Sequence, residues 1–332
     1  MTGVQTCALP ISAALLAAVL ILTSLTSVFA IGDKEALNVG ALNGPTAMGL
    51  VDLMHKAETG EANYTFQIFG SPDEVVAELS TQSLDATAIP CNLASVLYNK
   101  TEGKIRLAAI NTLGVLYVVE TGDSVQSVAD LKGKTIFATG KGATPEVVLR
   151  TVLTKNGIDP DKDVTIEFKS EATEVAALMK NAGDAAIAML PQPFVTAAAM
   201  QNDKIRVALD MTKEWNAVSD GKDLITGCVA IRADVVKKKA EKVAAFMADY
   251  AASVRFVQEN AGEAAKLIEE YSIVPKAAIA EKALPACNIV FIDGEKMKTL
   301  AEAYFELLFE FDPKTVGGKL PAEDFYYLPA AK

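Results

Sequence analysis

Four predicted helices begin directly after a strand with the same arrangement, a polar or small residue followed by proline. The four starts are Gly44-Pro45, Ser71-Pro72, Thr144-Pro145 and Gln192-Pro193. Proline suits the first helical position because its missing N–H would be unpaired there in any case. The leading N–H groups of a helix are free and together carry about half a positive charge. Starts that converge on one place would suit an anionic or strongly polar head group, whereas each start taken alone is explained by ordinary capping.

Side-chain hydroxyls and amides beside these starts could add hydrogen bonds to the same head group. Two further starts lie near Asn92 and Ser170, and Ser71 forms a capping-box pattern with Glu74. Trp215 is a candidate aromatic wall, with a core or surface position as its alternative. The candidate ligand-binding residues are Asn43, Gly44, Thr46, Ser71, Asn92, Thr139, Gly140, Lys141, Gly142, Thr144, Gln192 and Trp215.

The segment from Ala138 to Pro145, ATGKGATP, is the most specific of these patterns. Gly140 and Gly142 permit backbone conformations that bring N–H groups close to a ligand. Lys141 adds a positive charge between them. The segment matches neither a phosphate-binding P-loop nor a dinucleotide-binding glycine motif. It is therefore predicted to bind the head group of a ligand, with a simple tight turn as the alternative.

The residue types that usually support metal binding and catalysis are scarce. His55 is the single histidine, and no cysteine pair has Cys-x-x-Cys spacing. Cys91, Cys228 and Cys287 are interpreted as small buried hydrophobic residues, and one disulfide among them stays open. Spacing cannot reveal a catalytic carboxylate pair among 42 acidic residues. We expect no catalytic residue, no metal and no cofactor.

The composition is that of a globular protein with enough length for two domains. The chain has 332 residues, of which 51% are hydrophobic and 22% are charged. Its formal net charge of -11 argues against a nucleic-acid partner, because such a partner requires a basic face.

The first 30 residues are predicted to lie outside the folded lobes. Residues 3–11 look like the translation of a sequencing-adapter oligonucleotide. Ala13–Leu25 is apolar and uncharged, and small residues at Val28 and Ala30 follow where a signal peptidase reads. The apolar run is shorter than the ~20 residues of a comfortable membrane span. A cleaved export signal ending at Ala30 is predicted, with an N-terminal anchor helix as the alternative.

Strands and helices alternate in two blocks along the rest of the chain, which predicts mostly parallel sheets with helices on both faces. Two glycine-interrupted, β-branched segments, Thr112–Glu120 and Leu224–Arg232, are predicted to be strands that cross between the blocks. The chain beyond them is predicted to be almost wholly helical, with an extended strap from Pro313 to Pro329. Its predicted helices are Ala233–Asn260, Glu263–Tyr271, Lys276–Ala283 and Gly294–Phe311.

The predicted fold class is therefore α/β with two lobes. Residues 31–115 and 226–332 are assigned to lobe 1, and residues 116–225 to lobe 2. Ligands of open α/β sheets bind outside the carboxyl ends of the strands. Two lobes joined by two crossings place such a site in the cleft between them, and hinge closure is the motion that this layout supports.

Four segments resemble a known family: ALNVGALNGPT (36–46), DATAIPCNLASVLYN (85–99), SVADLKGKTIFATGKGATPE (127–146) and AIAMLPQPFVTAAA (186–199). With them the chain resembles the substrate-binding proteins of ABC transporters of the nitrate, sulfonate and taurine type, a group that includes thiamine-precursor binders. The resemblance implies the type II periplasmic-binding fold. It also implies that the interlobe cleft captures a small anionic or polar solute of the sulfonate, nitrate or carboxylate class. Many relatives have Glu where Gln192 stands, which puts a cationic or amino-pyrimidine ligand in doubt.

The implied partners are the small-molecule ligand and the permease and ATPase subunits of an importer, and we expect an exported, periplasmic or surface-held monomer. A fold-related biosynthetic enzyme is the first alternative, although the relatives that act on the pyrimidine use a His and a Cys-rich motif that this chain lacks. The second alternative is the input domain of a sensor.

Overall fold

The computed structural model describes residues 36–329. The predicted export signal at residues 1–30 lies outside this range. Eleven strands lie within the described residues: β1 (Leu37–Leu42), β2 (Tyr64–Phe69), β3 (Ala86–Pro90), β4 (Ile105–Leu113), β5 (Leu116–Glu120), β6 (Thr135–Ala138), β7 (Thr165–Phe168), β8 (Ile187–Pro191), β9 (Arg206–Asp210), β10 (Ile225–Arg232) and β11 (Ile289–Ile292).

Thirteen α-helices lie in the same range, and short 3₁₀ turns add to them at 128–131, 284–286, 313–316 and 323–325. The helices are α1 (Pro45–Met48), α2 (Val51–Glu58), α3 (Pro72–Ser80), α4 (Cys91–Lys100), α5 (Thr144–Lys155), α6 (Ala172–Asn181), α7 (Phe194–Ala199), α8 (Met211–Val218), α9 (Ala233–Lys238), α10 (Ala240–Glu259), α11 (Ala261–Glu270), α12 (Ala277–Ala283) and α13 (Gly294–Phe311).

The strands form two sheets. The first has the order β11-β4-β10-β3-β1-β2, in which β1 pairs in parallel with β2 and β3. Strand β10 is antiparallel to β3 and β4, and β11 is antiparallel to β4. The second sheet has the order β7-β6-β8-β5-β9, with β5 antiparallel to both of its neighbours. We call the first sheet with its helices lobe 1 and the second lobe 2.

The predicted two-lobed α/β class is confirmed, because each sheet runs mostly in one direction and carries helices. The strands of lobe 1 lie within 37–113 and 225–292, and those of lobe 2 lie within 116–210. The finer lobe boundaries at residues 115, 116, 225 and 226 stay a proposal. In the range 36–329, no helix combines the length and the hydropathy needed to cross a bilayer.

The predicted crossing strands are wrong in detail. The sequence predicts one strand over Thr112–Glu120, but β4 ends in lobe 1 at Leu113 and β5 begins in lobe 2 at Leu116. The side chain of Thr212 occupies the space where Gly114 would carry a Cβ, so the chain changes sheets beside a close contact. The segment predicted over Leu224–Arg232 is β10, which pairs with β3 and β4 and therefore belongs wholly to lobe 1.

Two further predictions miss local features of lobe 1. The helix predicted over Ala233–Asn260 is interrupted at Lys239, whose backbone is not helical, and so forms α9 and α10. Strand β11 is not predicted at all. Its sequence, Ile-Val-Phe-Ile, is wholly apolar and shows no period-two alternation, and its place at the sheet edge follows from pairing with Thr112 and Ile110 of β4.

The strap after α13 is held by polar side chains on one face of α4. Ser95 Oγ donates to Val316 O at 2.9 Å, and Asn99 Nδ2 donates to Val316 O at 2.8 Å and to Lys319 O at 2.7 Å. Asn92 Nδ2 donates to Thr315 O at 3.2 Å. The spacing of these three side chains, i, i+3 and i+7, places them on one helix face, which binds the carbonyl groups of the strap.

Candidate functional site

A cavity of about 80 Å³ lies between the lobes, at the carboxyl ends of strands from both sheets. Lobe 1 contributes residues that end or follow β1, β2 and β3, and lobe 2 contributes residues that end or follow β6, β7 and β8. The lining residues are Leu42, Asn43, Gly70, Pro72, Pro90, Thr139, Gly140, Ala143, Pro145, Ser170, Glu171, Ala172, Thr173, Pro191 and Phe194. Such a place is where parallel α/β sheets bind ligands.

Three of the predicted site residues line this cavity directly. Thr139 and Gly140 follow β6, and Asn43 follows β1. The backbone N–H of Asn43 donates to Phe69 O at 2.7 Å, whereas its side-chain Oδ1 is buried without a hydrogen-bond partner in the described structure. A buried acceptor without a donor is costly in an empty protein, so Asn43 is ready to accept a hydrogen bond from a ligand.

Gly44 and Thr46 lie beside the cavity but play structural parts. Gly44 has a φ of 119°, and a Cβ there would lie 3.4 Å from the ring of Phe194 in lobe 2. The positive φ favours glycine at this position, whereas a Cβ would make only an ordinary contact with the ring. Thr46 is buried, and its hydroxyl donates to Leu42 O at 2.6 Å.

Asn92 and Thr144 bind each other across the lobe boundary. Thr144 Oγ1 donates to Asn92 Oδ1 at 3.1 Å, and Asn92 Nδ2 donates to Gly142 O at 3.1 Å. Both side chains have no exposed surface. Asn92 thus joins α4 of lobe 1 to the turn before α5 of lobe 2, and its hydrogen-bonding groups are used within the protein.

The glycine-rich turn is present, but only its first half lines the cavity. Gly140 and Gly142 have φ values of 72° and 74°, as their sequence positions suggest. Lys141 and Gly142 are exposed and are not among the lining residues. The Gly142 N–H is occupied, because it donates to Glu146 Oε2 at 2.6 Å.

Gln192 is buried and turns back towards its own helix. Its Oε1 accepts hydrogen bonds from Thr196 N at 3.2 Å and from Thr196 Oγ1 at 2.8 Å. The prediction that Pro193 is the first residue of this helix is wrong. Helix α7 begins at Phe194, Pro193 is its N-cap residue, and the Gln192–Pro193 peptide is cis.

The prediction that Trp215 forms an aromatic wall of the ligand site is wrong, and the core position given as its alternative is the one observed. Its side chain has no exposed surface, its ring centroid lies 5.8 Å from that of Tyr304, and its indole N–H donates to Lys222 O at 3.0 Å. A fully buried indole with a satisfied N–H belongs to the core that joins the lobes and offers no surface to a ligand.

Carboxylates of the helices themselves cap three of the predicted helix starts. Glu74 Oε2 accepts from Gly70 N and Ser71 N, which completes the predicted capping box with Ser71. Glu146 accepts from Gly142 N, and Glu174 Oε2 accepts from Ser170 N at 3.3 Å. Each carboxylate occupies N–H groups that an anionic ligand would need and offsets the positive end of the helix dipole.

Sequence reasoning missed Glu171 and Phe194 as lining residues. The helix start near Ser170 was a usable signal for Glu171, since α6 has Glu171 as its N-cap residue. Phe194 directly follows the predicted Gln192-Pro193 start, but nothing in the sequence says that its ring faces the cleft. In the range 36–329, no cluster of three or more His, Cys, Asp or Glu side chains could hold a metal ion.

Residues 100–264, about half of the chain, match the family model described as NMT1/THI5 like. Solved structures share the fold over most of the chain. An ABC transporter from Parabacteroides distasonis is 24% identical with a TM-score of 0.71, and the match covers 89% of this chain and 99% of that one. No curated protein matches the sequence.

Two further structures agree in fold at lower identity. The alkanesulfonate-binding protein SsuA from Xanthomonas axonopodis pv. citri, bound to MOPS, is 16% identical with a TM-score of 0.69, over 90% of this chain and all of that one. The periplasmic nitrate-binding protein NrtA from Synechocystis PCC 6803 is 13% identical with a TM-score of 0.62, over 85% and 84% of the two chains. The predicted resemblance to solute-binding proteins of the periplasmic-binding fold is confirmed.

Proposed function

We propose that the chain is the solute-binding component of an ABC-type importer. It captures a small polar solute between its lobes, closes around it and delivers it to a permease. The observation that carries the proposal is the cavity at the facing carboxyl ends of the two sheets, lined from both lobes. A site divided between two lobes changes shape when the lobes move, so solute binding and lobe closure are thermodynamically coupled.

The fold relatives support the proposal. The structures similar to this chain over 89–90% of its length include an ABC transporter protein and the alkanesulfonate-binding protein SsuA. Export is part of the proposal, because SsuA from Escherichia coli and NrtA are described as periplasmic and the sequence predicts a leader that ends at Ala30. A binding role without catalysis agrees with a cleft whose described lining contains one ionisable side chain, that of Glu171.

The solute class predicted from sequence and resemblance is a sulfonate, a nitrate or a carboxylate, or another polar molecule. The described lining offers hydroxyl and amide groups on Asn43, Thr139, Ser170 and Thr173, which suit a polar solute. No lysine or arginine is among the lining residues that the structure describes. We therefore retain a polar solute in the proposal and do not retain the anionic charge.

A thermal-shift screen of the mature protein against small nutrients tests the proposed function. A true solute at about 100 times its dissociation constant should stabilise the folded protein by about 2.7 kcal/mol. Mass spectrometry of the released solute should find it chemically unchanged. Conversion of the solute during incubation would contradict the proposal and indicate an enzyme.

A further inference from the structure

The cleft has an unusual charge arrangement for a site predicted to hold an anion. Among the lining residues that the structure describes, Glu171 is the only one with a charged side chain. Its Oε2 accepts a hydrogen bond from Thr173 Oγ1 at 2.9 Å, and no ion pair with a lysine or arginine is found for it within residues 36–329. Glu171 is an exposed residue and lines the cavity.

Glu171 reaches from lobe 2 to the backbone of lobe 1. A Cβ placed on Gly70 would lie 2.6 Å from Glu171 Oε1, so that a residue with a side chain at position 70 would displace the carboxylate. Gly70 thus leaves room for Glu171 against the loop after β2. Gly70 and Glu171 both line the cavity between the lobes.

A second acceptor lines the same cavity. Asn43 Oδ1 is buried and has no hydrogen-bond partner in the described structure. Two backbone N–H groups of the lining, those of Gly70 and Ser170, are taken by Glu74 and Glu174. The described lining therefore presents an anionic carboxylate and an unpaired amide oxygen beside neutral hydroxyl groups, and it has no cationic side chain, which favours a donor-bearing ligand.

We propose that Glu171 is a specificity-determining residue that selects solutes with a positively charged or N–H-rich head group, such as an amidinium, a guanidinium or an amine, and disfavours simple anions. Glu171 would accept charge-assisted hydrogen bonds from the head group, and Asn43 Oδ1 would accept another. This inference rests on the proposed function, because it assigns the solute class of the same cleft. It replaces the anionic head group predicted from the sequence.

The test uses two series of probes that differ only in the head group: acetamidine, acetamide and acetate, and benzamidine, benzamide and benzoate. Binding in the cleft is followed by the backbone amide NMR shifts of Gly70 and Gly140, and affinity is measured by calorimetry. In each series we expect the amidine to bind most tightly, the amide less tightly and the carboxylate least. Equal or tighter binding of the carboxylates would overturn the proposal.

Two variants distinguish a direct contact between Glu171 and the probe from the general electrostatic effect of the acidic residues at the start of α6. Glu171→Gln keeps the size of the side chain and should weaken benzamidine binding by roughly tenfold. It should also reduce the salt dependence of binding, because an exposed charge pair contributes to that dependence. Glu174→Gln removes the same charge one turn away and keeps a capping acceptor, so it should change the affinity by less than about twofold.

An unchanged benzamidine affinity in Glu171→Gln, or equal losses in both variants, would refute the role of Glu171. The proposal also fails if all six probes leave the cleft amides unperturbed while some other solute closes the lobes. That last result would leave the proposed function intact. If no solute of any charge closes the lobes, the proposed function itself fails.

Discussion

At the scale of single residues, the burial of Trp215 shows that its role is structural and that it does not contact a ligand. Its side chain has no exposed surface and lies against Tyr304 of α13, so it joins α8 of lobe 2 to lobe 1. The carbonyl of Lys222 receives both the indole N–H and the Ser219 hydroxyl. The chain has one tryptophan, and the sequence could not tell a ligand-facing ring from a core ring.

Trp215→Phe should therefore lower stability and leave solute affinity unchanged. The smaller ring leaves a cavity beside Tyr304 and removes one donor from Lys222 O, which should cost about 1–3 kcal/mol in the free energy of unfolding. Urea denaturation measures the stability, and calorimetry with the solute found in the screen measures the affinity. A loss of affinity without a loss of stability would contradict this interpretation and indicate that Trp215 contacts the solute.

At the scale of elements, one capping geometry recurs around the cleft. Helices α3, α5 and α6 each have a glutamate at the third helical position, where its carboxylate reaches the N–H groups just before the helix. The sequence shows the prolines and glycines of these starts, but it shows a capping box only for Ser71 and Glu74. Which charge the cleft favours in a ligand depends on whether each carboxylate accepts from its own helix start or lies free beside the cavity. Only the folded structure shows this.

Asn92 connects three elements, and its removal should affect more than stability. Asn92→Ala would leave Gly142 O, Thr315 O and the Thr144 hydroxyl without their present partner, at a cost of about 1–3 kcal/mol. Because the turn before α5 borders the cavity, solute affinity should fall as well. Urea denaturation and calorimetry check both effects.

Ser95→Ala is the matched control for Asn92→Ala. Ser95 lies one turn further along α4 and donates to Val316 O in the strap, but it makes no hydrogen bond to lobe 2. Its loss should lower stability by about 1 kcal/mol and leave the affinity unchanged. If both variants bind the solute equally well, Asn92 supports the strap alone and does not position the turn.

The elements themselves were largely predictable, whereas the contacts between them were not. Helix α13 has the predicted bounds and α12 ends at the predicted Ala283, because helical apolar spacing is local to each segment. Strand β11 and the division between β4 and β5 depend on pairing with distant strands. The same difference between local and distant contacts holds for the candidate site. The strand ends near Asn43 and Thr139 were predictable from the local sequence. The approach of Glu171 to Gly70 was not, because it joins residues about a hundred positions apart.

At the scale of the whole molecule, two kinds of contact join the lobes. Near the crossings, hydrophobic side chains of both sheets, such as Leu107 and Val118, belong to one cluster that includes Trp215 and Tyr304. At the cleft the lobes also meet through polar contacts, buried between Asn92 and Thr144 and exposed between Glu171 and Gly70. A packed hydrophobic joint on one side and polar contacts on the other favour rotation of the lobes about the joint.

The distance between the lobes, measured by electron–electron resonance with and without the solute, tests this account most directly. Spin labels would be placed at Ala77→Cys on α3 and Ala177→Cys on α6, both exposed positions. The native thiols of Cys91, Cys228 and Cys287 have no exposed surface, and burial raises the pKa of Cys287 to about 12, so these thiols should resist labelling. Without solute we expect a longer and broader distance distribution, and with solute a shorter and narrower one. An unchanged distribution at saturating solute would contradict capture by lobe closure.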